Sequence, residues 1–331
     1  MTSPRRAPAR VVPPRAIPGG RIVVEAGDVP FFTDPLPRVS LGSTSVHLSS
    51  ASSRRIAAVV PNGTGAGRVP VRVNDDDPIG HVDIGKQWAT GLHQVDSPVF
   101  DREGNLYMTV SGTRGQRVPV SIFRIPPGGA PEPLASGIVN ATSLAFDLFG
   151  ELHVTSRFDG AVYKVKMGGS VEKVASDLGV ACGLAFAPDG TMWVGDRSGT
   201  LFRVNAAGRA VPFASLPPSV AAFHLAIGPD EEVYVSAPTL ATRDSVYVVD
   251  RRGEVSVFAS GFGRPQGLAV DAEGTLHVAD SVVGASGIFR ARRGSARELV
   301  VAGDGVIGLA FHPARGAAVA TGDAAYVFDR W

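Results

Sequence analysis

A twelve-residue pattern returns six times along the chain and limits the fold more than any other feature. Its clearest copy is Gly183-Leu-Ala-Phe-Ala-Pro-Asp-Gly-Thr-Met-Trp-Val194, and it recurs from Ser97, Ser143, His224, Gly267 and Gly308. The turn glycines Gly104, Gly150, Gly190 and Gly274, with Glu231 and Gly316 in the matching slots, follow one another at 40 to 46 residues. Each unit reads as four short strands: an apolar run such as Leu184-Ala-Phe, an Asp-Gly turn, a second strand such as Met192-Trp-Val, and two more. Thr200-Leu-Phe-Arg and Val211-Pro-Phe-Ala are the third and fourth strands of that unit. Four strands in such a period predict a blade of a β-propeller. The sixth unit ends at Trp331 without a fourth strand, while Lys86-Gln-Trp-Ala-Thr-Gly-Leu matches the fourth-strand segment Glu132-Pro-Leu-Ala-Ser-Gly-Ile138. A strand from the start of the domain therefore completes the last blade and closes the ring, which leaves no exposed sheet edge. The expected architecture is a six-bladed propeller over residues 82–331.

Residues 14–74 lack the blade pattern but alternate in short runs: Arg21-Ile-Val-Val-Glu, Arg38-Val-Ser-Leu-Gly, Arg55-Ile-Ala-Ala-Val-Val-Pro and Arg68-Val-Pro-Val-Arg-Val. Alternating runs split by Pro and Gly turns predict a small β-sandwich. Residues 1–13 read as a disordered tail and 75–81 as a polar linker, so the whole chain is expected to be all-β. The 40 glycines and 25 prolines among 331 residues agree with many turns and few helices.

Lys and Arg number 32 against 31 Asp and Glu, a net charge of +1, so no global field draws the chain to nucleic acid or to an anionic membrane. The single cysteine, Cys182, excludes an intrachain disulfide framework and reads as a small buried hydrophobe. Neither a secretory signal nor a stretch of about 18 apolar residues is recognisable, and the expectation is a soluble cytoplasmic protein. Gly80-His-Val-Asp-Ile-Gly85-Lys86-Gln87 has P-loop spacing but puts Gln where Mg²⁺ coordination needs a hydroxyl. Gly303-Asp-Gly305-Val-Ile-Gly308 has dinucleotide-site spacing but leads into a strand. Neither is expected to bind a nucleotide.

In such a ring the loops before the first strands share one face with the loops after the second strands, and that face is the usual ligand mouth. Its residues include Asp96, Asn140, His224, Arg264 and Gln266 from the first set, and Arg114, Arg157, Asp196, Arg197 and Asp280 from the second. Both charge signs occur without an aromatic stacking platform, which suits a small polar ligand better than single-stranded nucleic acid. Many of these Asp and Arg side chains also suit turn caps and pairs between blades. His224 with Asp96 offers acid–base chemistry.

At the level of these motifs the repeat region resembles the NHL-repeat and senescence-marker-protein/gluconolactonase group of six-bladed propellers. Asp96-Ser-Pro-Val-Phe is similar to that lactonase family's Glu-Ser-Pro-Val-Trp, and Arg264-Pro-Gln-Gly-Leu-Ala to its Pro-Asn-Gly-Leu segments. The N-terminal region resembles IPT/TIG domains, immunoglobulin-like modules, through Pro18-Gly19-Gly20, Ile22, Val24, Leu41-Gly42, Val60-Pro61, Val69, Val71 and Val73. The lactonase resemblance implies a divalent cation (Ca²⁺, Mg²⁺, Mn²⁺ or Zn²⁺) held by a Glu, two Asn and an Asp just before the first strands of four blades. The residues preceding the six repeat motifs here are Asp96, Thr142, Cys182, Phe223, Gln266 and Ile307. Asp96 and Gln266 are the candidate metal ligands, while Cys182 and Phe223 stand where the two Asn belong. The resulting expectation is a propeller that binds a sugar or lactone at the channel mouth, with or without turnover. The alternatives are a metal-dependent lactone hydrolase and a protein-interaction scaffold, and the N-terminal module is a candidate contact for a protein partner.

Overall fold

A computed structural model of the chain describes residues 9–27, 31, 36–74, 76–282 and 285–331, and among them every regular element is a β-strand. No helix in it is long and apolar enough to cross a membrane.

The N-terminal region contributes ten strands: β1 (Arg10–Val12), β2 (Arg15–Ala16), β3 (Arg21–Glu25), β4 (Val39–Leu41), β5 (Thr44–Ser45), β6 (Leu48–Ser52), β7 (Arg55–Val59), β8 (Gly67–Val73), β9 (Gly80–Ile84) and β10 (Lys86–Thr90). One sheet has the order β1-β3-β7-β6; the other runs β2-β9-β8-β4-β5. Alternation explains their packing: Ile22 and Val24 of β3 and Ile56 and Ala58 of β7 meet Val39, Leu41, Val71, Val82 and Ile84 of the second sheet in one buried cluster. Two expectations for this region need correction. Arg10–Val12, read as part of a disordered tail, is strand β1 on the edge beside β3, paired Val11 to Val24. Gly80 and His81, read as linker, and Val82–Ile84, read as the start of the ring, form β9, paired Val69 to Val82 with β8. The apolar face of β8 needed a neighbour, and the alternating Val82 and Ile84 supply it. Asp75 of the linker lies outside the described residues.

The repeat region folds as consecutive four-stranded antiparallel meanders. They run from Val99–Phe100 to Glu132–Ala135, Ala141–Phe146 to Val171–Ala175, Ala181–Phe186 to Ala210–Ser215, His224–Ile227 to Val255–Phe262, and Pro265–Val270 to Glu298–Ala302. The sixth sheet holds Val306–His312, Gly316–Thr321 and Ala324–Phe328, and β10 takes its fourth place, paired Lys86 to Val327 and Thr90 to Ala324. The first strands touch in succession around the cycle, and Val99–Phe100 touches both the second and the sixth. An apolar cluster fills each junction: Leu144, Val154 and Ile122 between the first and second sheets, and Leu309, Val319 and Ile288 between the fifth and sixth. The arrangement is propeller-like, with packing between neighbouring sheets in place of a single central core.

The two regions share a sheet. β2 lies parallel to Glu298–Ala302 on one side (Arg15 to Val301) and parallel to β9 on the other (Arg15 to Asp83). A nine-stranded sheet therefore runs from the fifth meander into the N-terminal unit. Gly20 is required at this joint, because a Cβ there would overlap the carbonyl of Ala302. Ile17 is sealed into the junction of the fifth and sixth sheets, and the Arg15 guanidinium lies 4.7 Å from the centre of the Trp331 ring.

Candidate functional site

The first strands line the axis of the ring, and the opening residue of each repeat motif shows how little room there is. Five of the six are Ser97, Ser143, Gly183, Gly267 and Gly308; the fourth copy alone begins with a large side chain, His224. A Cβ on Gly308 would run into the backbone of Ser97. An imidazole at that place is thus a departure from the repeat.

His224 reaches across to Asp96, 128 residues earlier: its Nδ1 donates to the Asp96 carboxylate at 2.7 Å, and the two side chains are 2% and 4% exposed. The same Asp96 oxygen accepts the Ser97 N–H at 2.6 Å. Gln94, which sequence reasoning missed, buttresses this strand from below. It is buried, donates to the Asp96 carbonyl at 2.5 Å, and accepts from the backbone N–H of Thr109 at 2.8 Å. A polar residue two places before Asp96, where the repeat carries none of its motif, was the only signal for it. The carboxylate fixes the Nδ1–H tautomer, which leaves a lone pair on Nε2. That nitrogen has no protein partner among the described residues and is not among the buried unpartnered atoms. An aspartate-oriented imidazole with a free Nε2 can accept a hydrogen bond or a proton from a molecule in the channel.

The other residues preceding the motifs are mainly apolar. Phe223 is fully buried and packs into the space left by Gly195, where a Cβ would come within 2.9 Å of it. Cys182 is fully buried too, and burial pushes its thiol up to about 11, so it is a neutral wall residue and no nucleophile near pH 7. Gln266 is half-buried, with its carbonyl accepting from Ser236 Oγ at 2.5 Å. A hard cation needs several oxygen ligands, yet Asp96 is already engaged by His224 and Ser97, and Phe223 offers none. No group of three or more His, Cys, Asp or Glu capable of holding a metal occurs among the described residues. The donor set does not fit the expected cation.

Several candidate ligand-binding side chains are committed to the framework. Asp196 accepts from the Val180 N–H at 2.8 Å, from the Ser198 N–H at 3.2 Å and from the Ser198 hydroxyl. Asp280, fully buried, accepts from the N–H groups of Gly263 and Arg264 and pairs with Arg297 at 2.5 Å. Asn140 adopts φ 50° and fastens the neighbouring loop: its side chain accepts from the Gly115 N–H at 2.8 Å and donates to the carbonyls of Gly112 and Thr113 at 2.8 and 2.9 Å. Arg264 is exposed. Arg114, Asn140, Arg157 and Arg197 line one cavity of about 300 Å³ together with Phe158, Gly179 and Val180.

No family model matches this sequence, and no curated protein does either. Solved structures match in fold at low identity. A gluconolactonase-like protein is 18% identical over 73% of this chain and 90% of its own, with a TM-score of 0.59. An auxiliary nutrient binding protein from Bacteroides ovatus is 12% identical, covering 97% of this chain and 98% of its own, at 0.55. Virginiamycin B lyase from Staphylococcus aureus, known also as a catalytically inactive histidine-to-alanine variant with quinupristin, is 14% identical over 70% of this chain and 79% of its own, at 0.51. At such identities the likeness is one of fold.

Proposed function

We propose that the chain is a six-bladed propeller of the gluconolactonase-like group behind an immunoglobulin-like module of the IPT/TIG kind, with the division at Gly85. In this reading it binds a small polar metabolite, a sugar or a sugar lactone, at the mouth of the channel. The observation that carries the reading is the buried Asp96–His224 pair, which spends a charged residue and an imidazole at the most crowded part of the ring. Burying such a pair is costly unless function repays it. His224 Nε2 would accept a ligand hydroxyl, and the polar loops above it would enclose the rest. The nutrient-binding and gluconolactonase-like neighbours are in keeping with a ligand of this size and polarity.

Titration calorimetry with a panel of sugars, sugar acids and sugar lactones tests this on wild type, His224→Gln and Asp96→Asn. At least one class is expected to bind wild type, and each substitution to weaken it about tenfold or more, the loss of one or two charge-assisted hydrogen bonds. A ligand bound equally well by all three proteins would remove the pair from the site.

One observation favours turnover as a second reading: the carboxylate holds the imidazole in the tautomer a general base needs. In lactone hydrolysis Nε2 would take a proton from the attacking water and return it to the departing ring oxygen. A hydrolysis assay on the same panel, with and without chelator, decides it. Turnover lost in His224→Gln and indifferent to chelator supports the base. Hydrolysis no faster than in buffer confines the protein to binding.

A further inference from the structure

Sequence and geometry together set three arginines apart from the other arginines of the ring. Arg157 and Arg197 stand in the same place of the second and third repeats, immediately after the second strands Leu152–Ser156 and Met192–Asp196. The other four repeats put Ser111, Pro238, Ser281 and Gly322 there. An arginine at this place is therefore no requirement of the fold. Arg114 joins the two from the loop of the first repeat, and all three line the cavity of about 300 Å³ between those loops.

Among the described residues, no acidic side chain lines this cavity. The nearby carboxylates are held by neutral donors of the framework: Asp196, behind the Gly179–Val180 wall, by the Val180 N–H and Ser198, and Asp159 by Ser156 Oγ at 3.1 Å and Tyr163 O–H at 2.9 Å. None of the three arginines takes part in an ion pair among the described residues; Arg157 makes one long bond, 3.4 Å, to Ser111 Oγ. Arg114 and Arg197 are exposed at the rim and Arg157 is half-buried behind them. Three guanidinium groups without an ion-pair partner around one small concavity repel one another, and an anion between them relieves that repulsion. The loops are fixed rather than free to spread the charges. Asn140 ties Gly112, Thr113 and Gly115 around Arg114, and its carbonyl accepts the Arg157 N–H at 3.3 Å. The Val180 carbonyl accepts the Arg197 N–H at 3.2 Å. Gly179, at φ 62°, lies against the Asp196 carboxylate, where a Cβ would come within 2.7 Å. Phe158, 54% exposed, supplies an apolar wall.

We propose that this cavity is an oxyanion site that takes the carboxylate or phosphate group of a small metabolite, with Arg157 and Arg197 as the principal forks and Arg114 closing the rim. Planar guanidinium groups suit both anions because each presents paired N–H donors to paired oxygens. The proposal deepens the reading of the channel mouth by making its ligand an acid, but the site stands on its own residues.

Calorimetry with inorganic phosphate and, separately, malonate tests it at low and physiological salt on wild type, Arg157→Gln, Arg197→Gln, Arg157→Lys and the remote surface variant Arg252→Gln. Wild type is expected to bind at least one of them. Each Gln variant should weaken that anion about tenfold, Arg157→Lys should recover only part of the loss, and Arg252→Gln should match wild type. Binding should also weaken as salt rises. Phosphate alone would identify a phosphorylated ligand, malonate alone a carboxylate, and both a general oxyanion site. Neither anion binding wild type, or binding undiminished in both Gln variants, would overturn the proposal. Phosphate is neither sugar nor lactone, so anion binding without any sugar or lactone would sink the metabolite reading and leave this site standing, and the reverse result would do the opposite.

Discussion

His277 and His224 each hold a carboxylate, Asp271 at 2.8 Å and Asp96 at 2.7 Å, and both rings are almost wholly buried. Their partners differ in origin. Asp271 is six residues away in the turn of the same sheet, whereas Asp96 comes from another repeat across the axis. The place of His277 in its repeat is held elsewhere by Tyr107, His153, Trp193, Tyr234 and, in the sixth copy, Ala318. Three of those also reach a nearby acid: Tyr107 O–H bonds Asp101 at 2.9 Å, Tyr234 O–H bonds Glu232 at 2.6 Å, and His153 lies 4.0 Å from Asp147. The His277 ring is enclosed by Phe311 and Trp331, with centroids at 5.0 and 5.3 Å, and its Nδ1 is buried with no partner. It pins a turn. His224 replaces the small residues of its repeat position, and its second nitrogen has no protein partner among the described residues. Similar chemistry thus serves structure where the repeat demands it and function where the repeat is broken.

The sharpest way to break this comparison is to remove each ring. His277→Ala should destabilise the fold by about 3 kcal/mol, through a cavity among aromatic rings and a stranded Asp271, with ligand affinity unchanged; denaturant unfolding and calorimetry read the two effects. Equal loss of affinity in His277→Ala would show that both pairs serve the site. Gly308→Ala should cost about 2 kcal/mol, since the added Cβ meets the Ser97 backbone and must displace the segment that carries Asp96. Here affinity and stability should fall together, and a drop in stability alone would mean that the cross-ring pair tolerates movement of the Asp96 segment. Tyr107→Phe should cost about 1 kcal/mol, the net worth of its bond to Asp101, and leave binding untouched.

The smallest effect is that of pH. Burial holds the His277 and His153 rings below their ordinary value of 6.5, against the opposing pull of Asp271 and of the Glu151 carbonyl respectively. The unfolded chain then binds more protons than the folded one, so stability should be full above pH 6.5 and decline as the pH falls below it. Melting temperatures from pH 8 to 5 measure this. A slope that stays the same in His277→Ala would assign the effect to other groups.

The ring was legible in the sequence because each repeat spells the same strand and turn grammar, and the missing last strand could be matched to Lys86–Thr90. The ten N-terminal strands were legible only where they alternate. β2 has two residues, Arg15 and Ala16, too few for any period to show, and its parallel seat between two strands far apart in sequence depends on tertiary packing alone. Asp96 and His224 could be named from the sequence as a pair worth testing. Asn140, Asp196 and Asp280 could not be separated from ligand contacts, because a carboxylate or amide beside a turn serves backbone N–H groups and ligands equally well. Arg157 and Arg197 were visible as charges, but their convergence with Arg114 required the fold.

The ring is closed by β10, whose partner Ala324–Phe328 lies about 240 residues later in the chain. During synthesis, when domains form from the N-terminus onward, the sandwich and five meanders can assemble while β10 still has no neighbour in its sheet. That strand is attached through Gly85 to β9, which the sandwich already holds. The N-terminal unit is therefore placed to hold the first strand of the ring near its seat before its partner has been made.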